Sequence, residues 1–214
     1  VGMSSEWQES FGDRLIGVIR LNRPIYEAIK RDPRATTQAL LIVIFLGLAT
    51  GIALTTTSFV VDTTGMDAET AALVNEVTQA FTFQTNGQKV MALVSSVITS
   101  LIGWYITSWL LTFVGNRMSR QLGDRTTSEQ MRRLVGWGYA PQLASFLAPI
   151  PVVGPLLAFV GGIWAFVTGV MAVRTAFNVS IGRAIAIEIL AFLVYMVAIF
   201  IVVLVVALLV MAFA

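Results

Sequence analysis

Histidine and cysteine are both absent from the 214 residues, and charged side chains make up only 12% of them. Without cysteine there is no disulfide, thiol nucleophile, thiolate zinc site or iron–sulfur cluster. Without histidine there is no Ser-His-Asp triad, no imidazole general base and no haem held by a proximal histidine. Walker loops, dinucleotide glycine fingerprints and paired carboxylates in a plausible cleft are missing as well. An ordinary soluble domain is about 25% charged. Here 57% of residues are hydrophobic and the mean hydropathy is +0.81, which leaves too little polar surface to cover a water-soluble globule. The chain reads as a membrane protein, and its lack of reactive groups argues against catalysis.

What is present is long apolar runs. Crossing a hydrocarbon core of about 30 Å takes about 20 apolar residues. Three runs qualify outright: Ala39 to Val61, Val90 to Val114 and Val152 to Val173. A fourth, Ala184 to Ala214, carries a single charge, Glu188. Leu134 to Ile150 is uncharged but short and contains Pro141, so it fits a full span, a re-entrant segment or an interfacial helix. Charge decides for a span. With five crossings, thirteen of the fourteen Lys and Arg residues fall on one side, in 1–38, 115–133 and 174–183, and only Lys89 falls on the other. Basic residues mark the cytoplasmic side, so the expected topology places the N-terminus in the cytoplasm and the C-terminus outside. The segment ahead of the first run is too long and charged for a signal peptide's n-region, so that span is expected to act as the insertion signal. The expected fold class is all-α: a polytopic bundle of five transmembrane helices over 38–214, preceded by an amphipathic cytoplasmic segment, 1–37.

Within that segment, Trp7, Phe11, Leu15, Val18 and Leu21 recur at helical spacing, with Ile16 and Ile19 widening the stripe. They predict a helix over 5–22 that lies at the membrane interface or docks a partner. Pro24 interrupts it, and Ile25, Tyr26, Ala28 and Ile29 form a second short helix up to Pro33. The loop after the first span is acidic (Asp62, Asp67, Glu69, Glu76), and Leu73, Val77 and Phe81 predict a surface helix over 68–83. Thr126 and Glu129 have capping-box spacing. Pro149, Pro151, Gly154 and Pro155 predict a tight outer turn, and Pro141 a kink.

Small residues supply the packing signals. Gly47 and Gly51 form a Gly-x-x-x-Gly pair, and Gly154, Ala158, Gly162, Ala165, Gly169 and Ala172 form a seam along the fourth span. In lipid, helices associate through close contact at such residues, so the fourth span is the expected centre of the bundle. The fifth, rich in Val, Leu, Ile and Phe, is expected to face lipid or a partner. Glu188 is the one ionisable side chain inside a span, and pairing with Arg183 or Arg174 is its expected resolution. Gln142, Ser95, Ser96, Thr99, Ser100 and Thr107 are scattered polar groups in the spans.

The run Leu134-Val-Gly-Trp-Gly-Tyr-Ala-Pro141, then Pro149-Ile-Pro-Val-Val-Gly154 and Gly162-Ile-Trp164 onward to Ala184, resembles the bacterial Yip-domain proteins. Arg14-Leu-Ile-Gly-Val18, Pro24 and Asp32-Pro33 resemble the same group's entry segment. The resemblance implies five spans with a cytoplasmic N-terminus. Eukaryotic members are associated with small-GTPase recruitment and vesicle traffic; their Asp-Leu-Tyr-Gly-Pro motif is missing here, so a small-GTPase partner is not carried over.

Taken together, the residues predict a non-enzymatic accessory or scaffold subunit that packs laterally against other membrane proteins, as in a respiratory or photosynthetic complex. Its expected partners are membrane lipids and other integral subunits. Nucleic acid is not among them, because the basic loops suit orientation and anionic headgroups. No metal or cofactor is expected beyond bound lipid or a lipid-like molecule. The alternative is a small-solute transporter or lipid-handling protein, with a path at Pro141, Gln142 and the glycine seam.

Overall fold

The computed structural model of the protein describes residues 10–56, 61–80, 82–83, 85–119 and 125–213. Two short helices open it, α1 (Phe11–Ile19) and α2 (Arg23–Arg31). Then come α3 (Ala35–Thr56), α4 (Ala68–Ala80), α5 (Asn86–Met118), α6 (Ser128–Gly138), a 3-10 helix (Ala140–Leu147), α7 (Val153–Phe177) and α8 (Ile181–Phe213). Among the described residues, α3, α5, α7 and α8 are helices long and apolar enough to cross a membrane.

The caps explain several boundaries. Ser10 accepts from the Asp13 amide and Asp13 bonds back to the Ser10 amide, starting α1. The chain leaves α1 through Leu21 at φ 58°, and Pro24 falls in the first turn of α2, where a missing N–H costs nothing. One helix over 5–22 is therefore corrected to a helix ending at Ile19, with Trp7 outside the described residues. The box that starts α6 is Thr127 with Gln130, one residue on from the expected Thr126–Glu129. Thr126 instead donates its hydroxyl to the Ala176 carbonyl.

The segment 134–150 is not a single helix. Pro141 has no N–H to offer the previous turn, and the chain tightens: Gln142 N donates to the Tyr139 carbonyl and Ala148 N to Ser145, at 2.9 Å each. The result is a broken arm, α6 followed by the 3-10 helix, antiparallel to α7 along its whole length. Thr126 meets Ala176, the Gly138 carbonyl accepts from the Thr168 hydroxyl at 2.6 Å, and Gly161 faces the Pro141 carbonyl. At the far end Gly154 lies against Ala148. Since α7 is about 37 Å long at 1.5 Å per residue, the arm runs beside nearly that whole length.

That arm shares the centre of the bundle with α7. It packs on α1, α2, α3, α5 and α7, and Met131, Leu134 and Trp137 have no exposed surface. The reason is its own small residues: a Cβ on Gly136 would press on Ala39 of α3, and Gly138 lies against Gly169 of α7. On the other side, α3 and α5 form an antiparallel pair at Gly47 and Gly51. Helix α4 is shorter than the expected 68–83, with Leu73 and Val77 exposed and Phe81 outside the described residues. Finally, α8 rests on α5 and α7 through Ala184, Ile187 and Ala191; past Tyr195 its described side chains are exposed.

Candidate functional site

At the end of the bundle where α1 and α2 dock, two buried arginines, with half-buried Lys30 and exposed Arg23, tie the elements together. Arg14, 3% exposed, reaches Asp32 at 2.7 Å and Gln38 at 2.8 Å. Arg133 pairs with Glu129, bonds Thr36 at 2.9 Å and the Lys30 carbonyl at 3.0 Å. Lys30 caps the end of α7 through the Ala176 carbonyl at 2.9 Å, and Arg23 reaches Asn178 at 2.9 Å. Burial pushes the Asp32 carboxyl up, but Arg14 and the Arg34 amide outweigh it and hold it below the usual carboxylate range. Burial also pushes the Tyr26 phenol up; its hydroxyl donates to the Val18 carbonyl at 3.1 Å.

The expected contact stripe on α1 divides. Val18 is buried and Leu15 half-buried, whereas Phe11, Ile16 and Ile19 face outward. Phe11 packs its ring 5.1 Å from that of Trp137, and the Ile19 carbonyl accepts from the Trp164 indole at 2.9 Å. This helix is therefore set against the flank of the bundle with an apolar face left over.

The small-residue seam divides too. Gly47 and Gly51 are tightly opposed by α5: a Cβ on Gly47 would come within 2.7 Å of the Val97 Cα. Ser96 adds a hydroxyl bond to the Gly47 carbonyl at 2.8 Å. On α7, Gly154, Ala165 and Ala172 are buried and Ala158 half-buried. Gly162, expected to pack, has open space beside it, and it is Gly161 that meets the arm, 2.8 Å from a would-be Cβ to the Pro141 carbonyl. Adjacent glycines point about 100° apart on a helix, so only one of them can serve a given contact. Gly169 faces another way again, toward Glu188 on α8.

Glu188 does not pair with either expected arginine. The ion pairs of the described residues involve neither Arg183 nor Arg174, and the buried Oε2 of Glu188 has no hydrogen-bond partner. Helical geometry accounts for it: five residues rotate Arg183 about 140° away from Glu188. The carboxyl instead fills the place where Gly169 has no side chain and borders a cavity of about 320 Å³ between α5, α7 and α8. Thr107, Leu110, Leu111, Phe166, Ile189, Ala191, Phe192 and Tyr195 complete the lining. A second, larger groove of about 940 Å³ lies between the other ends of α3 and α5, lined by Thr50, Ser95, Ser96, Thr99 and Ser100 among others. Gln142, by contrast, is half-buried in the 3-10 helix and lines neither space.

Chemically, the cavity offers one carboxyl, two hydroxyls and an apolar, aromatic wall. That set can hold a ligand; it does not contain a nucleophile–base pair. Residue reading alone missed the Arg14–Asp32 and Arg133–Glu129 clasps, because charges in a juxtamembrane loop look solvated. It also missed Thr168 and Gly161. The i, i+4 spacing of Glu129 and Arg133 was the one available signal.

No curated protein and no solved structure matches the chain. A match to the Yip1 domain does, and it covers residues 16–214, from the middle of α1 through α8, taking in the Arg133–Glu129 clasp, the broken arm and the cavity but not Arg14. The chain is a membrane-spanning member of the Yip1-domain family.

Proposed function

We propose that the protein is a non-catalytic scaffold of the bacterial inner membrane, N-terminus in the cytoplasm, that works by packing laterally against other integral membrane subunits. The observation that carries this reading is an open, small-residue face of α7. Past Tyr195, α8 leaves its neighbours, and Ala158 and Gly162 of α7 are left facing an opening of about 470 Å³ walled by Phe159, Ile163 and Phe166. Small residues bordered by large apolar ones suit a helix that must come close, because association in lipid depends on van der Waals contact. The clustering of Lys30, Arg23, Arg14 and Arg133 around one end of the bundle supports the orientation. A cysteine placed at Gly162 in this cysteine-free chain tests the idea by cross-linking in native membranes. One discrete protein adduct, lost on adding Ala158→Leu, is the expected result; adducts to lipid alone would count against a scaffold.

A second reading, lipid handling, is favoured by a separate observation. Ser96, Ser100, Gly103 and Thr107 lie within about 60° of one another around α5, joining the Ser/Thr-lined groove at one end to the Glu188 cavity at the other. Labelled-lipid exchange between leaflets of proteoliposomes distinguishes it, since a scaffold leaves that rate at the protein-free level.

A further inference from the structure

In the cavity at Glu188 a carboxyl enters an apolar lining with a buried oxygen that has no hydrogen-bond partner. A carboxylate removed from water and left without a partner is costly. Each neighbouring group that could answer it is turned away or engaged. Arg183 is exposed on another face of α8, and Arg174 is half-buried five residues beyond Gly169 toward the end of α7. The Lys30 ammonium is bonded to the Thr175 and Ala176 carbonyls. Tyr195 shares the lining and Tyr139 lies within electrostatic reach of Glu188, yet the buried Oε2 accepts from neither. Gly169 is what keeps the carboxyl in place, since any side chain there would strike Oε1.

The rest of the lining has a consistent character. Phe166, Phe192 and Tyr195 present aromatic surface beside the acid, and aromatic faces attract cations. Leu110, Leu111 and Ile189 supply apolar wall for a hydrocarbon chain. Phe192 is 59% exposed, so the cavity opens sideways to the bilayer rather than along the bundle axis. Its size, about 320 Å³, is at the small end of ligand sites and suits a head with the first carbons of a chain. Glu188 stands about 7 Å further along α8 than Arg183, the depth at which an amphiphile's head meets its tail.

We propose that this cavity binds the protonated amine of a membrane amphiphile, with the ammonium on Glu188 and its alkyl chain lying over Phe192 into the bilayer. This goes beyond the scaffold reading and does not depend on it. The test uses the purified full chain in phosphatidylcholine nanodiscs, with dodecylamine as the probe and dodecanol as its uncharged twin. Labelling of Glu188 by a hydrophobic carbodiimide, located by mass spectrometry, gives occupancy. Dodecylamine is expected to protect Glu188 while dodecanol does not. Thermal-shift titration should then show dodecylamine affinity falling about tenfold in Glu188→Gln, which loses a charge-assisted bond, and severalfold in Phe192→Ala, an exposed position whose loss spares the fold. Repeating the titration with phosphatidylethanolamine in the disc separates the sources. Displacement assigns the amine to a lipid headgroup and no displacement assigns it to a single-chain amine; both uphold the site. Equal protection by dodecanol, or undiminished dodecylamine binding in Glu188→Gln, overturns it.

Discussion

Arg14 and Asp32 illustrate how much one side chain settles in this molecule. The arginine is buried on α1, the aspartate ends α2, and Gln38 on α3 receives the second guanidinium bond, so a single residue ties three helices. Removing one member of a largely buried pair leaves the other unpaired. Asp32→Asn should therefore cost about 1–2 kcal/mol, less than a fully buried pair because Asp32 is partly exposed. Hydrogen exchange is expected to rise in α1 and stay unchanged in α3 and α5. The pH dependence follows from the direction of the Asp32 shift. A carboxyl held below its ordinary value contributes fully above its unfolded pKa of about 4, and the contribution fades as the pH falls through the lower folded value. Acid should loosen α1 more in the native protein than in the Asp32→Asn variant, whose remaining response comes from the Asp13 cap, also held below its ordinary value by its bonds with Ser10. Val152 gives a residue-scale prediction of opposite sign. It is a β-branched residue at φ 65° and is 85% exposed, so it bears backbone strain without packing gain. Val152→Gly should raise the melting temperature by a degree or two, as expected of roughly 0.5 kcal/mol.

The helical elements of this protein were legible where periodicity and length agreed, and obscure where the outcome depended on a neighbour. The apolar runs announced α3, α5, α7 and α8, and Pro24 announced the break between α1 and α2. The arm 128–147 could not be read as one thing because it is two: Pro141 removes a backbone donor, and only contact with α7 and α3 decides that the chain continues as a 3-10 helix. Its centrality was hidden for the same reason, since a short run with two glycines looks weak until five helices are packed on it. At the site, Glu188 was visible as an isolated charge, but its pairing was misjudged because spacing along the axis was weighed without rotation around it. Gly161 and Gly162 put this lesson to the test. Gly161→Leu would drive a side chain into the Pro141 backbone and should cost roughly 2–3 kcal/mol. Gly162→Leu enters open space and should stay within about 0.5 kcal/mol of the parent. Equal losses in the two thermal melts would mean that the arm does not seat on α7 through Gly161.

At the scale of the whole molecule, the register of the arm against α7 determines which compartment each loop occupies. If the arm crosses, the turn at Val152 belongs with α4, on the face opposite α1 and α2. If it stops short, Val152 returns to the side of α1, and the two ends of α8 exchange compartments. The packing favours the crossing, because Thr126 lies beside Ala176 at one end and Gly154 beside Ala148 at the other. The chain has no cysteine of its own, so single exposed cysteines report sidedness without background. Arg20→Cys, Met118→Cys and Ser180→Cys should react with a membrane-impermeant maleimide only when the cytoplasmic face is opened. Thr70→Cys and Val152→Cys should react in intact cells. Val152 is the position that decides: silence there, with Thr70 labelled, would reduce the arm to a re-entrant hairpin. Ser180→Cys would then have to label from outside, which would put Arg174 and Arg183 on the wrong side for the basic residues that gather at the clasp.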